Sequence, residues 1–183
     1  EQQHAGWVMA RFDAHKPMVW LQVSQSLAPV LPEVLQRVRH ALDLDLMPDR
    51  VHEVLQESFP DAAGQRLPGA LDGFTQAVRA VLGQQVTVKA ARTLAQRLVD
   101  CWGTSITTPW PGLTHLFPAP QVLAQASEQD LGEQGITRQR QAAIRALALG
   151  VASGGLQLHP GAPFGETRSE ERRVGKECIY RWS

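Results

Sequence analysis

Residues 67–99 read LPGALDGFTQAVRAVLGQQVTVKAARTLAQRLV and carry the clearest helical period in the chain, with one break in the middle. Before the break, apolar residues recur at a spacing that places them on one face of a helix: Leu71, Phe74, Val78, Val81 and Leu82. We expect this helix to begin just after Pro68-Gly69 and to bury its apolar face against the rest of the protein.

Gly83 interrupts that pattern, and a second helical period then follows at Val88, Ala91, Ala95 and Leu98. Thr87 stands just ahead of the second helix, where its hydroxyl can accept a hydrogen bond from a free N–H group of the first turn. Residues 83–86 are therefore predicted to form a tight corner between two amphipathic helices. The second helix would direct N–H groups and partial positive charge out of that corner, where a phosphate could bind.

The charge of the chain is unevenly distributed along its length. The whole sequence carries 18 basic and 18 acidic residues, and residues 1–63 hold nine acids against five bases. Residues 64–99 hold one acid, Asp72, and five bases, a local net charge of +4: Arg66, Arg79, Lys89, Arg92 and Arg97. A cationic helix corner suits a nucleic-acid backbone. The alternative interpretation is an ordinary helical hairpin with a solvated charged face.

Composition bounds the class of protein. The chain has 183 residues, of which 43% are hydrophobic and 20% charged, as in globular proteins. No apolar run reaches membrane-spanning length and no signal-peptide pattern opens the sequence, so we expect a soluble, cytoplasmic protein without membrane contact. The two cysteines, Cys101 and Cys178, and the six scattered histidines lack metal-ligand spacing. We expect no metal site.

The sequence before the central pair of helices combines strands and helices. Residues 6–12 and 18–23 are rich in β-branched and aromatic residues and predict a hairpin. Residues 27–42 then show helical spacing, and a further helix is predicted from Pro48 to about Phe59, with three apolar residues facing inward: Val51, Val54 and Leu55. Residues 60–65 have the composition of a linker.

A later amphipathic helix is predicted to begin at Thr137, in the sequence TRQRQAAIRALALGVASG. Three apolar residues share the face expected to point inward: Ile144, Leu147 and Val151. Three arginines are expected to point outward: Arg138, Arg140 and Arg145.

Residues 74–88 fit the pattern F-x-x-A-V-R-A-[IV]-L-G-Q-x-V-[ST]-V. This run resembles the helix pair that opens the catalytic core of AlkA-type DNA glycosylases, the 3-methyladenine-DNA glycosylase II branch of the helix-hairpin-helix family. The segments LAPVLPEVLQRVRHALDLD (27–45), FPAPQVLAQAS (117–127) and LQLHPG (156–161) are also similar to that family.

The resemblance implies an α+β fold class, with a mostly α-helical, incomplete helix-hairpin-helix glycosylase core after a small antiparallel α+β domain. Residues 1–66 are expected to be the second half of that N-terminal domain, and residues 67–168 the first part of the core. Residues 169–183, SEERRVGKECIYRWS, show no resemblance to the family. We expect them to be a foreign or frameshifted end, and the alternative is a nucleic-acid-binding arm.

The family hydrolyses the N-glycosidic bond of alkylated purines such as 3-methyladenine and 7-methylguanine in double-stranded DNA, after extruding the base. The resemblance implies no metal and no cofactor, and we expect a monomer. The family's LPGIGxWTA hairpin and catalytic aspartate have no counterpart in this sequence. No catalytic residue is therefore assigned, the aspartate is expected beyond residue 183, and the fragment is expected to be inactive.

In the family, a side chain from the corner between the first two core helices fills the gap left by the extruded base. Gln85 matches that wedge position, where some members have leucine. The predicted DNA contacts lie at the corner and on the first turns of the second helix: Gln84, Gln85, Val86, Thr87, Lys89 and Arg92. Two alternatives are the DNA-binding part of an alkylation-response regulator fused to a glycosylase-like core, and a non-catalytic helical interaction domain.

Overall fold

The computed structural model describes residues 4–158, and the chain divides into two compact units, the first ending at Leu71 and the second beginning at Asp72. The sequence hypotheses that concern residues 159–183, including the tail 169–183, fall outside the described residues. Within residues 4–158, no helix is both long and apolar enough to cross a bilayer.

The first unit opens with an antiparallel hairpin of β1 (Val8–Phe12) and β2 (Val19–Val23), in which Val8 faces Val23 and Phe12 faces Val19. A 3-10 helix (Gln25–Val30), α1 (Leu31–Ala41) and α2 (Pro48–Leu55) follow. The strands pack their apolar face against a small buried cluster: Leu27, Val34 and Val38. The predicted hairpin is thus confirmed.

Two helix predictions for the first unit need correction. The expected single helix over residues 27–42 is divided at Val30 into a 3-10 helix and α1. Pro29 and Pro32 lack backbone N–H groups, so neither can donate a helical hydrogen bond at this point. Helix α2 ends at Leu55, short of Phe59. The inward orientation of Val54 and Leu55 is wrong, since these residues are 79% and 37% exposed. The apolar residues of α2 share one face of the helix, but no residue of α2 is buried by the described part of the first unit.

The second unit is entirely helical apart from its connections: α3 (Gly73–Gly83), α4 (Val88–Trp102), α5 (Pro120–Gln125), α6 (Glu128–Glu133) and α7 (Arg138–Ala152). Helix α7 packs on α3, α5 and α6, and α3 also packs on α4. The centre of the unit consists of fully buried side chains drawn from all five helices: Val78, Leu82, Leu98, Leu123, Leu131 and Ile144. The mostly helical core predicted from the resemblance is confirmed.

Helix α3 begins later than the sequence predicts. The Asp72 carboxylate accepts a hydrogen bond from the Thr75 backbone N–H at 2.7 Å and so caps the helix, which places Leu71 outside it. The predicted burial of Leu71 is wrong, since it is 58% exposed. Gly73 starts the helix in a crowded position, where a Cβ atom would lie 2.0 Å from the carbonyl oxygen of Leu158.

We expect Leu98→Ala to lower the free energy of unfolding by about 3 kcal/mol, because this fully buried side chain would leave a cavity between packed helices. The matched control is Leu149→Ala on α7, whose side chain is 54% exposed and should change stability by less than about 1 kcal/mol. Urea unfolding of both variants measures the difference. Equal losses would show that Leu98 does not lie in a tightly packed core.

Candidate nucleic-acid interface

The corner between α3 and α4 is formed by a residue in an uncommon backbone conformation. Helix α3 ends at Gly83, and the Gln84 N–H still bonds the Val81 carbonyl at 3.4 Å. Gln85 then has φ of +53°, in the left-handed region. Among the non-glycine residues that the structure describes, only Asp43 also has a positive φ. For a residue with a Cβ, this conformation costs about 1–2 kcal/mol. The corner is therefore strained locally and must be held by its surroundings.

The start of α4 forms as the sequence predicts. The Thr87 hydroxyl accepts a hydrogen bond from the Ala90 backbone N–H at 3.2 Å, which confirms Thr87 as the N-cap. A helix N-terminus has more free N–H groups than one hydroxyl can satisfy, so the first turn of α4 keeps donors and partial positive charge at the corner.

The predicted contact residues are accessible rather than sealed in the core. Val86 is half-buried, and the other five are exposed: Gln84, Gln85, Thr87, Lys89 and Arg92. Their role in DNA binding stays a prediction, but their exposure at one corner is compatible with it. Val88, the first residue of α4, is 70% exposed and lines an open hollow beside the corner.

That hollow has a volume of about 420 Å³ and lies between α3 and α4. It is lined mainly by small and apolar residues, among them Gly83 and Val86, and by two arginines, Arg79 from α3 and Arg92 from α4. Arg79 contributes to the positive charge of residues 64–99 but is not among the predicted DNA contacts. Arg79 precedes Gly83 by four residues, so the two lie on the same face of α3. This spacing could have predicted that Arg79 lies near the corner.

Arg140 was also missed. It was expected to point outward from α7 into solvent, whereas in the structure it is half-buried and its Nη2 donates a hydrogen bond to the carbonyl oxygen of Gln84. The two residues are 56 positions apart in the sequence, so no local pattern predicts this contact. Arg145 is also only partly exposed and pairs with Glu128 at 3.6 Å.

The structure adds no metal or thiol site to this interface. Within residues 4–158, no three His, Cys, Asp or Glu side chains are grouped so that they could hold a metal ion. Cys101, near the far end of α4, is exposed with a free thiol.

Two family models match the chain. The AlkA N-terminal domain matches residues 1–72, and the HhH-GPD superfamily base excision DNA repair protein model matches residues 78–175, more than half of the chain. The second match extends seven residues past residue 168, into the segment expected to lie outside the family.

Curated relatives agree with these matches. The "Probable bifunctional transcriptional activator/DNA repair enzyme AlkA" of Mycobacterium tuberculosis is 38% identical over 141 residues, which cover 73% of this chain and 28% of the relative. The DNA-3-methyladenine glycosylase 2 of Escherichia coli K12 is 33% identical over 156 residues, covering 85% of this chain and 55% of the relative. The chain thus spans about a quarter to a half of the length of the curated relatives it matches.

A solved structure shows the same fold. The Clostridium acetobutylicum 8-oxoguanine glycosylase/lyase, in complex with double-stranded DNA containing cytosine opposite 8-oxoguanine, aligns with a TM-score of 0.67 at 13% identity. The alignment covers 94% of this chain and 61% of that one. By its family match and its relatives, the chain belongs to the HhH-GPD superfamily of base excision DNA repair proteins and carries an AlkA-type N-terminal domain.

Proposed function

We propose that the protein is a DNA glycosylase of base-excision repair, which extrudes alkylated purines from double-stranded DNA and hydrolyses their N-glycosidic bond. The observation that carries the proposal is the exposed, left-handed Gln85 at the corner between two packed helices. The class of lesion rests on the relative named DNA-3-methyladenine glycosylase 2 and on the resemblance to the AlkA branch. We propose 3-methyladenine and 7-methylguanine as its substrates.

Gln85 is proposed as the wedge. Extrusion of a base breaks its stacking and its pairing, and a protein group that enters the vacated space offsets part of that cost. The glutamine amide has two donors and an acceptor, so it can also bond the edge of the partner base that has lost its pair. A strained backbone at an exposed tip is a common feature of functional sites, and this supports the assignment.

The remaining corner residues are proposed to hold the DNA backbone. Gln84, Val86 and Thr87 lie at the turn itself, where the first N–H groups of α4 are directed outward. Lys89 and Arg92 are exposed cations within the first turns of α4. Contacts of this kind fix the position of the duplex without reading its sequence, as a lesion-searching enzyme requires.

Hydrolysis also needs a carboxylate that stabilises positive charge on the sugar and helps water attack it. We propose no catalytic residue among residues 1–183, since the hairpin and the aspartate of the family have no counterpart in this sequence. An alkylated purine that carries positive charge is a better leaving group, so no metal or cofactor enters the proposed mechanism. We propose that the protein acts as a cytoplasmic monomer.

A second candidate function is supported by one observation. The Mycobacterium tuberculosis relative is named as a transcriptional activator as well as a DNA repair enzyme, and the part that matches this chain is 28% of its length. We therefore propose, as the alternative, that the glycosylase-like core is fused to an alkylation-response regulator. Upstream coding sequence for a helix-turn-helix and a cysteine-rich segment would support the fusion. Its absence from the complete reading frame would contradict it.

We expect Gln85→Ala in the full-length protein to lower the single-turnover rate of 3-methyladenine release from duplex DNA by about tenfold, because the vacated space is then unfilled. The control is Gln76→Ala, which removes an exposed glutamine from the opposite half of α3. An unchanged rate for Gln85→Ala would remove this residue from the mechanism. Absence of base release by the wild-type protein would contradict the proposed activity itself.

Gln85→Gly distinguishes the effect of backbone strain on stability from the effect of the Gln85 side chain on base release. Glycine adopts the left-handed conformation without a Cβ penalty, although it loses more backbone entropy on folding, so we expect a gain of about 0.5 kcal/mol in the free energy of unfolding. The same variant should lose base-release rate as Gln85→Ala does. A stability loss above about 1 kcal/mol in urea unfolding would show that the Gln85 side chain stabilises the fold instead.

Lys89→Ala should reduce the slope of log K against log salt concentration by about one, as expected for the loss of one phosphate contact. Fluorescence anisotropy with an undamaged duplex at several salt concentrations gives this slope. Lys89→Arg keeps the charge and is expected to keep the slope. If the slope of Lys89→Ala equals that of the wild type, Lys89 is a solvated surface charge and not a DNA contact.

A further inference from the structure

Arg140, in the first turn of α7, is hydrogen-bonded to the corner between α3 and α4. Its guanidinium Nη2 donates to the carbonyl oxygen of Gln84, the residue that follows the last turn of α3 and directly precedes Gln85. The C-terminal end of a helix carries partial negative charge, so a guanidinium is well placed there. Because the donor is charged, this hydrogen bond is stronger than one between neutral groups.

The first turn of α7, which carries Arg140, is itself firmly held. Gln141, the next residue, is only 4% exposed, and its Nε2 donates to the Ile136 carbonyl oxygen at 2.6 Å. From α4, Arg97 donates to the Gln134 carbonyl oxygen at 2.9 Å. The turn ahead of α7 is thus tied both to α7 and to α4, and Arg140 extends from an anchored base.

Holding the Gln84 carbonyl restricts the backbone torsions that define the corner. The carbonyl of Gln84 and the N–H of Gln85 belong to one rigid peptide plane, whose orientation changes with ψ of Gln84 and φ of Gln85. A bond that fixes the plane therefore opposes rotation of Gln85 out of its left-handed value of +53°. Without such a bond, the strained conformation would compete with relaxed ones in which the side chain points elsewhere.

We propose that Arg140 is a positioning residue, which keeps Gln85 in the orientation needed to enter the space left by an extruded base. The inference rests on the proposed wedge function of Gln85. Arg140 acts through the backbone of Gln84 and does not itself touch DNA. The competing role for an arginine near this corner is a direct phosphate contact, which predicts a different salt dependence.

The experiment compares Arg140→Ala with Arg138→Ala in the full-length protein. Arg138 is an exposed arginine of the same helical turn. Its replacement by alanine removes the same charge as Arg140→Ala but leaves the hydrogen bond between Arg140 and Gln84 in place. The first readout is hydrogen exchange of the segment 83–88 in the DNA-free protein. The second is the fluorescence of 2-aminopurine placed next to the lesion, which reports unstacking and filling of the gap.

We expect Arg140→Ala to speed exchange in segment 83–88. We also expect it to lower the equilibrium constant for base extrusion, as obtained from the 2-aminopurine signal, by about tenfold, as for the loss of one charge-assisted hydrogen bond. Arg138→Ala should change neither. The salt slope of undamaged-duplex binding should be equal in Arg140→Ala and Arg138→Ala. A slope lower by about one in Arg140→Ala alone would identify a phosphate contact and overturn the proposal.

A double-mutant cycle tests whether Arg140 acts through Gln85. Once Gln85→Ala has removed the wedge, adding Arg140→Ala should reduce the fluorescence signal no further. Additive losses would overturn the proposal, as would an unchanged exchange rate of segment 83–88 in Arg140→Ala. If Gln85→Ala alone has no effect on the signal while Arg140→Ala still speeds exchange, the wedge function fails and the structural tie between Arg140 and the corner remains.

Discussion

The burial of the apolar face of α3 is the constraint on which the second unit depends. Val78 and Leu82 are fully enclosed, and α3 packs on both α4 and α7. Because side chains four residues apart share one face of a helix, their burial fixes the rotation of α3 about its axis as well as its place. The C-terminus of α3 consequently ends at a defined position beside the first turn of α7. Core packing therefore fixes where the corner lies, whereas the local residues Gly83 and Thr87 mark the end of α3 and the start of α4.

The corner itself departs from the local rules that the rest of the unit follows. Asp72, Thr87 and Ser127 are polar N-caps with the expected hydrogen bonds, so the helix starts agree with local preference. Gln85 does not agree, since its left-handed backbone is disfavoured for a residue with a side chain. A local conflict inside an otherwise consistent structure is where a functional requirement is expected. This contrast supports a functional assignment at residue 85 better than exposure alone would.

The sequence predicts the helices of the core well, because their signals are local. The apolar period of α3 from Phe74 to Leu82 and the Thr87 cap both depend on residues within a few positions of each other, and both are confirmed. Periodicity identifies the apolar face of a helix without showing whether another part of the protein covers it, which is why Val54 was wrongly expected to face inward. The contact between Arg140 and Gln84 joins positions far apart in the chain and depends on how α7 packs on α3. No composition, spacing or capping pattern contains that information.

The positive φ of Gln85 also limits which side chains can occupy the tip of the corner. Isoleucine, valine and threonine carry two heavy substituents on Cβ, and at positive φ these collide with the neighbouring backbone. Glutamine has an unbranched Cβ and avoids this collision. The backbone of the corner therefore restricts residue 85 to side chains without a branched Cβ, whatever their chemistry.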